Sequence, residues 1–504
     1  MARLTFTLQA FDRLCCAGLN VTQKILAYKA LILSLTFFVY CSYHINRKPT
    51  SVVKNVLNQN CTGLTPPENI SVEENPNWCD WEPFDTDDSA ALLGFVDSSF
   101  LFAYAFGIFV SGTIAERMDL RVFLGIGMIL SGLFNVMFGL GYTFGIHQLW
   151  YFLLAQVLSG LAQSTGWPGV VAAVGNWYGK SSRGFIFGVW NSHVSIGNIL
   201  GTLIAAAFVD SHWSMSFIVP GIIIAIIGIV VLFIMVPEPA MLGLPDPNDD
   251  DGESSLSSSS STISYIGKEK EAQIEKVPEK EEPAVEGKAI SIIGALRIPG
   301  VVEFSLCLFF AKLVSYTFLY WLPNYIKYST TFSPSESANL STLFDVGGII
   351  GGILAGLLKD VTGRPATTCV GMLLVAVPTL FVYYAFAYVS FGLNVVLLIV
   401  LGVLVNGPYS LITTAVSADL GTHESLKGNA KALATVAAII DGTGSIGAAV
   451  GPLLAGTISE IDWGYVFYML MASDVLALLL LLRLVVRETQ AFLQNRRIKH
   501  HSPI

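Results

Sequence analysis

Apolar windows of about 20 residues recur along the whole of this 504-residue chain, and that recurrence limits the fold more than any other feature. Each window is long enough to cross a bilayer as a helix, whose backbone polar groups are satisfied within the segment. Six spans precede a polar gap: 25–57, 89–114, 120–142, 149–174, 183–209 and 214–236. Six follow it: 297–326, 338–358, 366–388, 393–417, 427–457 and 463–486. The expected fold is an all-α membrane protein with 12 transmembrane helices in two six-helix bundles. Composition agrees, since 13% of residues are charged against about 25% in soluble domains, and mean hydropathy is +0.62.

The same windows set the domain boundaries. Residues 1–24 form an N-terminal segment without the pattern of a cleavable signal peptide, so the first helix is expected to stay as an anchor. The first bundle is 25–236, the linker 237–296, the second bundle 297–487 and the tail 488–504. Within the linker, Pro237 to Gly287 carries an aspartate triplet at 249–251, a serine run at 254–261 and mixed Lys and Glu. Such a segment lacks the apolar surface to fold alone and is expected to be disordered. The net charge of −9 comes mostly from polar loops, so it gives no sign of a nucleic-acid partner.

Lysine and arginine placement orients the bundles. One side holds Arg3, Arg13, Lys24, Arg117, Arg121, Lys180, Arg183, Lys359, Arg364, Lys427, Lys431 and Arg487. The other holds only Lys54 and Lys327, and its connections 143–148, 210–213, 389–392 and 458–462 have no Lys or Arg. Both termini and the linker are therefore expected in the cytosol. The opposite loop, 58–88, would be luminal, where Asn60-Cys61-Thr62 and Asn69-Ile70-Ser71 are glycosylation acceptors. A disulfide between Cys61 and Cys79 is chemically allowed there. Asn339-Leu340-Ser341 lies too near the membrane for modification.

Charges inside the spans carry the functional signal. The stretch Ile25 to Tyr43 runs straight into His44, Arg47 and Lys48, and the stretch Val301 to Ile326 carries Lys312 near its middle. A charge at bilayer depth costs roughly 2.5–3.5 kcal/mol on insertion scales, so it usually faces a bundle interior. Arg47 and Lys48 would be simple headgroup anchors if the first helix ended there. That end, however, faces the side from which cations are otherwise excluded. If the helix continues toward Leu57, Arg47 lies well inside the membrane and Pro49 marks a kink. Tyr40, His44 and Arg47 stand four and three residues apart, on one helical face. Two cationic helices around one cavity imply an anionic solute.

Lys312 admits two readings, a structural ion pair or a substrate contact. Asp441 opens Asp441-Gly442-Thr443-Gly444-Ser445 inside an apolar span, where small residues allow close helix approach rather than forming a nucleotide loop. It can pair with Lys312, accept a sugar hydroxyl or titrate. Asp97 on the second span reads as structural. No cofactor or metal constellation stands out, and neither does a nucleophile with a base, so an enzyme is not expected. Oligomeric state is not legible.

The two halves echo each other. Gly112-Thr113-Ile114-Ala115-Glu116-Arg117 follows the second span; Gly356-Leu357-Leu358-Lys359-Asp360 with Gly363-Arg364 follows the eighth. Paired charged turns at equivalent places argue for a parallel repeat of two bundles around a midplane site. This pattern resembles the major facilitator superfamily. Five motifs narrow it: Tyr40-Cys41-Ser42-Tyr43-His44-Ile45-Asn46-Arg47-Lys48-Pro49, Gly166-Trp167-Pro168, Trp190-Asn191-Ser192-His193, Tyr320-Trp321-Leu322-Pro323 and Asn406-Gly407-Pro408. With them the chain resembles the sugar-phosphate exchangers of solute carrier family 37, from Ala27 to about Arg487. It resembles the bacterial glycerol-3-phosphate:phosphate antiporters more weakly.

The resemblance implies exchange of glucose-6-phosphate for inorganic phosphate, in the endoplasmic reticulum membrane. It implies that Arg47 binds the substrate phosphate, since its planar fork matches phosphate oxygens bidentately. Tyr40, His44, Lys48, Tyr104, His193, Lys312 and Asp441 would complete the substrate site, and Asp345 would serve an outer gate, where it could pair with Lys48. The chain departs from the bacterial pattern at Ser315, which replaces an arginine, and at Ile108, which replaces a lysine. His193 is one position off its counterpart. Two other functions stay open: proton-coupled transport of another organic anion, and a transport-inactive sensor or scaffold working through the linker.

Overall fold

The computed structural model describes residues 18–59, 61, 78–115, 117–178, 189–245, 292–421 and 430–501. Among them, ten helices are long and apolar enough to cross a membrane. Two further spans take shorter forms. The fourth divides into Leu149–Gln163 and Gly166–Tyr178, and the fifth holds the helix His193–Val209. Proline explains the division, because Pro168 cannot donate to the carbonyl of Ser164. The hydroxyl of Ser111 on the second span takes that donor's place, 2.9 Å from the Ser164 oxygen.

Local sequence sets the other helix ends. Asn20 and Gln23 form a capping box at the start of Val21–Arg47, and Ser333 with Glu336 forms another before Pro334–Thr362. That eighth span stops at Gly363, which takes the left-handed conformation (φ +65°) that a β-carbon disfavours. The first span breaks at Lys48, between Val21–Arg47 and Pro49–Leu57.

Close helix contacts repeat between the halves. On the fifth span, a β-carbon at Gly197 or Gly201 would meet the Cys41 or Ile45 carbonyl oxygen of the first span at 2.5 and 2.7 Å. On the eleventh, Ala430–Ser459, Gly447 and Gly451 stand in the same relation to the Phe309 and Leu313 oxygens of the seventh, Val301–Ser329, at 2.0 and 2.5 Å. Both pairs are four residues apart, the spacing that lets two backbones touch along a membrane helix pair. The outward faces are apolar, with Phe106, Ile226, Leu354 and Val400 exposed, as lipid contact requires.

The halves meet along three seams. The Ser98 hydroxyl of the second span donates to the Ala449 carbonyl of the eleventh at 3.0 Å. Asn198 of the fifth reaches Asp345 of the eighth, and lysines of the first reach the seventh. Asn191, ahead of the helix His193–Val209, also donates to Ser410 of the tenth span at 3.0 Å.

Several boundaries differ from the sequence reading. The last span does not end near 486; the helix Trp463–His501 runs on through most of the tail. Its Glu488 accepts from the backbone N–H groups of Ala366 and Thr367, both at 2.8 Å, and so caps the ninth span. The linker's described ends are also folded. Val236 and Pro237 accept hydrogen bonds from Trp177 and Asn176, Pro239–Leu242 forms a helical turn, and Ile292–Leu296 a short helix. Residues 246–291 lie outside the described residues. Of the charged turns, Glu116 lies outside the described residues, while Lys359 pairs with Asp419 at 3.0 Å.

Candidate functional site

The break before Pro49 places Arg47 at the last helical position of the first segment, where its side chain packs among Gln163, Phe100 and Tyr104 of the same half. Its side chain is only 4% exposed. Nε donates to the Oε1 of Gln163 at 2.7 Å, at the end of Leu149–Gln163. The guanidinium carbon sits 4.7 Å from the ring centre of Tyr104 and 5.9 Å from that of Phe100. Among the described residues no carboxylate pairs with it, and its Nη2 has no acceptor. A buried charge of this kind stays costly without an opposite charge, because one neutral amide and two ring faces replace only part of its lost hydration.

The other cations are occupied. Lys312 donates to Asp441 Oδ1 at 2.7 Å and lies 5.6 Å from the Tyr409 ring centre. Lys54 pairs with Asp97 and donates to the Tyr320 carbonyl at 3.1 Å, with its ammonium 3.8 Å from the Trp321 ring centre. The sequence reading counted Lys54 among the luminal-side cations; it is fully buried in the helix Pro49–Leu57, the part of the first span beyond its kink. Lys48 donates to the Leu319 carbonyl at 3.0 Å. Between the halves, four buried cations (Arg47, Lys48, Lys54 and Lys312) face three buried carboxylates (Asp97, Asp345 and Asp441) among the described residues. The site is one negative charge short.

Asp345 does not form the expected ion pair with Lys48. It accepts from Asn198 Nδ2 at 2.9 Å, and Asn198 Oδ1 in turn lies 3.0 Å from His44 Nδ1. The amide links His44 on the first span to Asp345 on the eighth through the fifth. Ser315 donates to Asn406 at 2.6 Å rather than standing free in the cavity.

Tyr40, Tyr104, Trp167, Lys312, Tyr409 and Asp441 line one cavity between the halves. A neighbouring cavity is lined by His44, Ser315, Tyr316, Asp345 and Asn406. His193 lies one ring layer behind this wall. It is fully buried, 4.7 Å from the Tyr40 ring and 4.4 Å from the Trp190 ring, and neither ring nitrogen has a partner among the described residues. Outside the spans, Cys61 and Cys79 are joined by a disulfide. Asn60 and Asn69 lie outside the described residues.

Sequence reasoning missed several site residues, among them Trp167 and Tyr409 on the cavity wall and three that join the buried charge network. Gln163 opens the polar triplet Gln163-Ser164-Thr165 within an otherwise apolar span, a signal that was available. Lys54 stands seven residues after Arg47, as Arg47 does after Tyr40, which places it on the same face of the 25–57 span, a consequence the sequence reading did not draw. Asn198 gave no signal, since an isolated amide in a span reads equally well as packing.

Known proteins share this architecture and much of this sequence. The profile of the Major Facilitator Superfamily matches residues 82–437 and 304–503. Glucose-6-phosphate exchanger SLC37A2 of Mus musculus is 56% identical over 469 residues, covering 92% of this chain and 93% of that protein. Its Homo sapiens counterpart is 56% identical over 474 residues, with coverage of 92% and 93%. Glucose-6-phosphate exchanger SLC37A1 of Homo sapiens is 46% identical over 509 residues, again covering 92% and 93%. Among solved structures, a bacterial homologue of the human lysosomal transporter Spinster, in an inward-facing and unoccupied conformation, superposes with a TM-score of 0.60. It is 15% identical and covers 95% of this chain and 99% of its own, a likeness of fold. With its twelve-span, two-bundle architecture, the chain is a multi-pass membrane protein of the major facilitator superfamily and belongs, within it, to solute carrier family 37.

Proposed function

We propose that this protein is a secondary antiporter that exchanges glucose-6-phosphate for inorganic phosphate by alternating access. The observation that carries this reading is the buried guanidinium of Arg47, held by a neutral amide with no carboxylate counter-ion among the described residues. A phosphate group supplies the missing charge, and the arginine fork suits its oxygens. The names of the relatives, glucose-6-phosphate exchangers at 46–56% identity, support the sugar phosphate as partner anion.

In this reading Arg47 holds the phosphate, with Lys48, His44, Tyr40 and Tyr104 around it on the first two spans. Lys312 and Asp441 face the rest of the substrate from the second half, His193 backs Tyr40, and Asp345 ties the outer gate through Asn198. An empty cavity with surplus positive charge resists reorientation, and either anion relieves that cost. Obligatory exchange follows, and the protein works as a carrier with no chemical step. Both termini and the 237–296 linker lie in the cytosol, the 58–88 loop lies in the lumen with Asn60 and Asn69 glycosylated, and the membrane is that of the endoplasmic reticulum.

The test is counterflow with the purified full chain in liposomes. Labelled glucose-6-phosphate should enter vesicles preloaded with phosphate and stay out of empty ones. Equal uptake into both would rule out exchange, and absence of uptake into either would rule out the substrate.

A further inference from the structure

We infer that Trp167, with Tyr40 beside it and Tyr316 and Tyr409 opposite, forms the platform that reads the sugar ring, while Asn191 and Asp441 read its hydroxyls. This rests on the exchange proposed above and identifies the part of that cavity which tells a hexose phosphate from phosphate alone.

All six residues line the same cavity. Trp167 and Tyr40, both from the first half, sit 5.2 Å apart and tilted by 59°, making a continuous angled wall. Tyr316 and Tyr409, from the second half, meet edge to face at 6.4 Å and 81°. A pyranose is an amphipathic disc, with C–H groups on its faces and hydroxyls around its rim. Aromatic faces accept the former without any hydrogen bond, and polar groups between the rings accept the latter.

The unused bonding capacity matches such a guest. Trp177, Trp190 and Trp321 each donate their indole N–H to a protein oxygen, at 2.8, 3.1 and 3.0 Å. Trp167, half-buried on the cavity wall, has no acceptor among the described residues. Asn191 uses its amide nitrogen on Ser410, and its amide oxygen has no donor among the described residues. Asp441 gives one oxygen to Lys312, and its second has no donor among the described residues. Tyr104 joins the two ends, since it lines this cavity and stacks under the Arg47 guanidinium at 4.7 Å. A phosphate held at Arg47 is therefore next to the platform, which suits a phosphate carried one methylene away from a sugar ring. Inorganic phosphate meets Arg47 and leaves the platform empty.

The experiment compares two uptakes into phosphate-loaded liposomes carrying the full chain, one of labelled glucose-6-phosphate and one of labelled phosphate. Trp167→Leu should lower sugar-phosphate uptake about ten-fold more than phosphate uptake, the effect of losing one ring face and one donor. Trp167→Phe, which keeps a ring face, should restore most of that ratio, and Asn191→Ala should shift it in the same direction as Trp167→Leu but less. Equal loss of both uptakes in Trp167→Leu would make Trp167 a packing residue and overturn the platform, as would no loss of either. Should Trp167→Leu not fold, an unmoved ratio in Asn191→Ala overturns it instead. A wild-type protein that exchanges phosphate but excludes glucose-6-phosphate would refute the proposed substrate and the platform together. A wild-type protein that exchanges both, with no variant moving the ratio, would refute the platform alone.

Discussion

Lys48 donates its ammonium to the carbonyl of Leu319 at 3.0 Å, and that carbonyl is the one Pro323 leaves without a helical donor. A proline at position i removes the bond to the oxygen at i−4, so the seventh span presents an acceptor that its own backbone cannot fill. Lys54 takes the next carbonyl, Tyr320, and Lys327 returns the contact by donating to the Asn55 carbonyl at 2.6 Å. The first and seventh spans are thus fastened by lysines to backbone oxygens on one side of the cavity. Access from that side requires these bonds to part.

Pro323→Ala should weaken the fastening. The restored N–H competes with Lys48 for the Leu319 oxygen, and a hydrogen bond to a charged group is worth about 1.5–3 kcal/mol. A cysteine introduced at Ser51, which is buried one helical turn from both Lys48 and Lys54, should then react several-fold faster with a membrane-impermeant maleimide added from the side of the Cys61–Cys79 loop. An unchanged labelling rate would show that the proline plays no part in closure.

Arg47→Lys keeps the charge and loses the fork. Exchange should fall roughly ten- to hundred-fold in affinity for either anion, while protein level and mobility on gel filtration stay normal. Ser315→Ala should be much milder, because Ser315 bonds Asn406 rather than facing a substrate anion. Wild-type exchange by Arg47→Lys would reduce Arg47 to a structural cation.

Lys312→Ala should harm folding before it harms transport. It strands Asp441, and removing one partner of a buried pair costs about 3–5 kcal/mol. The double variant Lys312→Met with Asp441→Leu should recover protein yield and thermal stability in detergent while remaining poor at glucose-6-phosphate exchange. Recovery of both yield and exchange would show that the pair serves stability alone.

Lys54 and Asp97 offer a control of the same kind away from the cavity wall. Lys54→Met or Asp97→Leu alone should lower the thermal midpoint sharply, whereas the two together should come close to the wild type, since apolar replacement of a whole buried pair is often neutral. Additive losses in the double variant would mean that the bonds from Lys54 to the Tyr320 carbonyl and the Trp321 ring matter more than the ion pair.

Much of this was legible in the chain. Twelve spans, two bundles and the repeat between them follow from apolar periodicity and from paired charged turns, because a bilayer leaves few alternatives to the helix. The burial of Arg47 within the first span was legible for a related reason, as a cation where none belongs. The partners of the charges were harder to read. Sequence spacing says which residues share a helix face, but Lys54 with Asp97 and Asn198 with Asp345 meet across helices that no local pattern brings together. The expectation of Lys48 with Asp345 failed for a comparable reason: an unfilled carbonyl made by Pro323 competes for the lysine, and a vacated backbone acceptor leaves no mark in side-chain chemistry.

The paired glycines of the fifth and eleventh spans bear on inheritance as well as packing. Where backbone lies directly on backbone, as at Gly197 against Cys41 and Gly447 against Phe309, a helix pair has no side chains to reshuffle and behaves as one rigid plate. Arg47 and its amide partner Gln163 belong wholly to one half, while Lys312 and Asp441 belong wholly to the other and ride on its glycine-built plate. Neither pair need come apart when the halves move. Each half can therefore change its own polar pair without disturbing the other's, and only the contacts that cross between the halves, such as Ser98 to Ala449, constrain both at once.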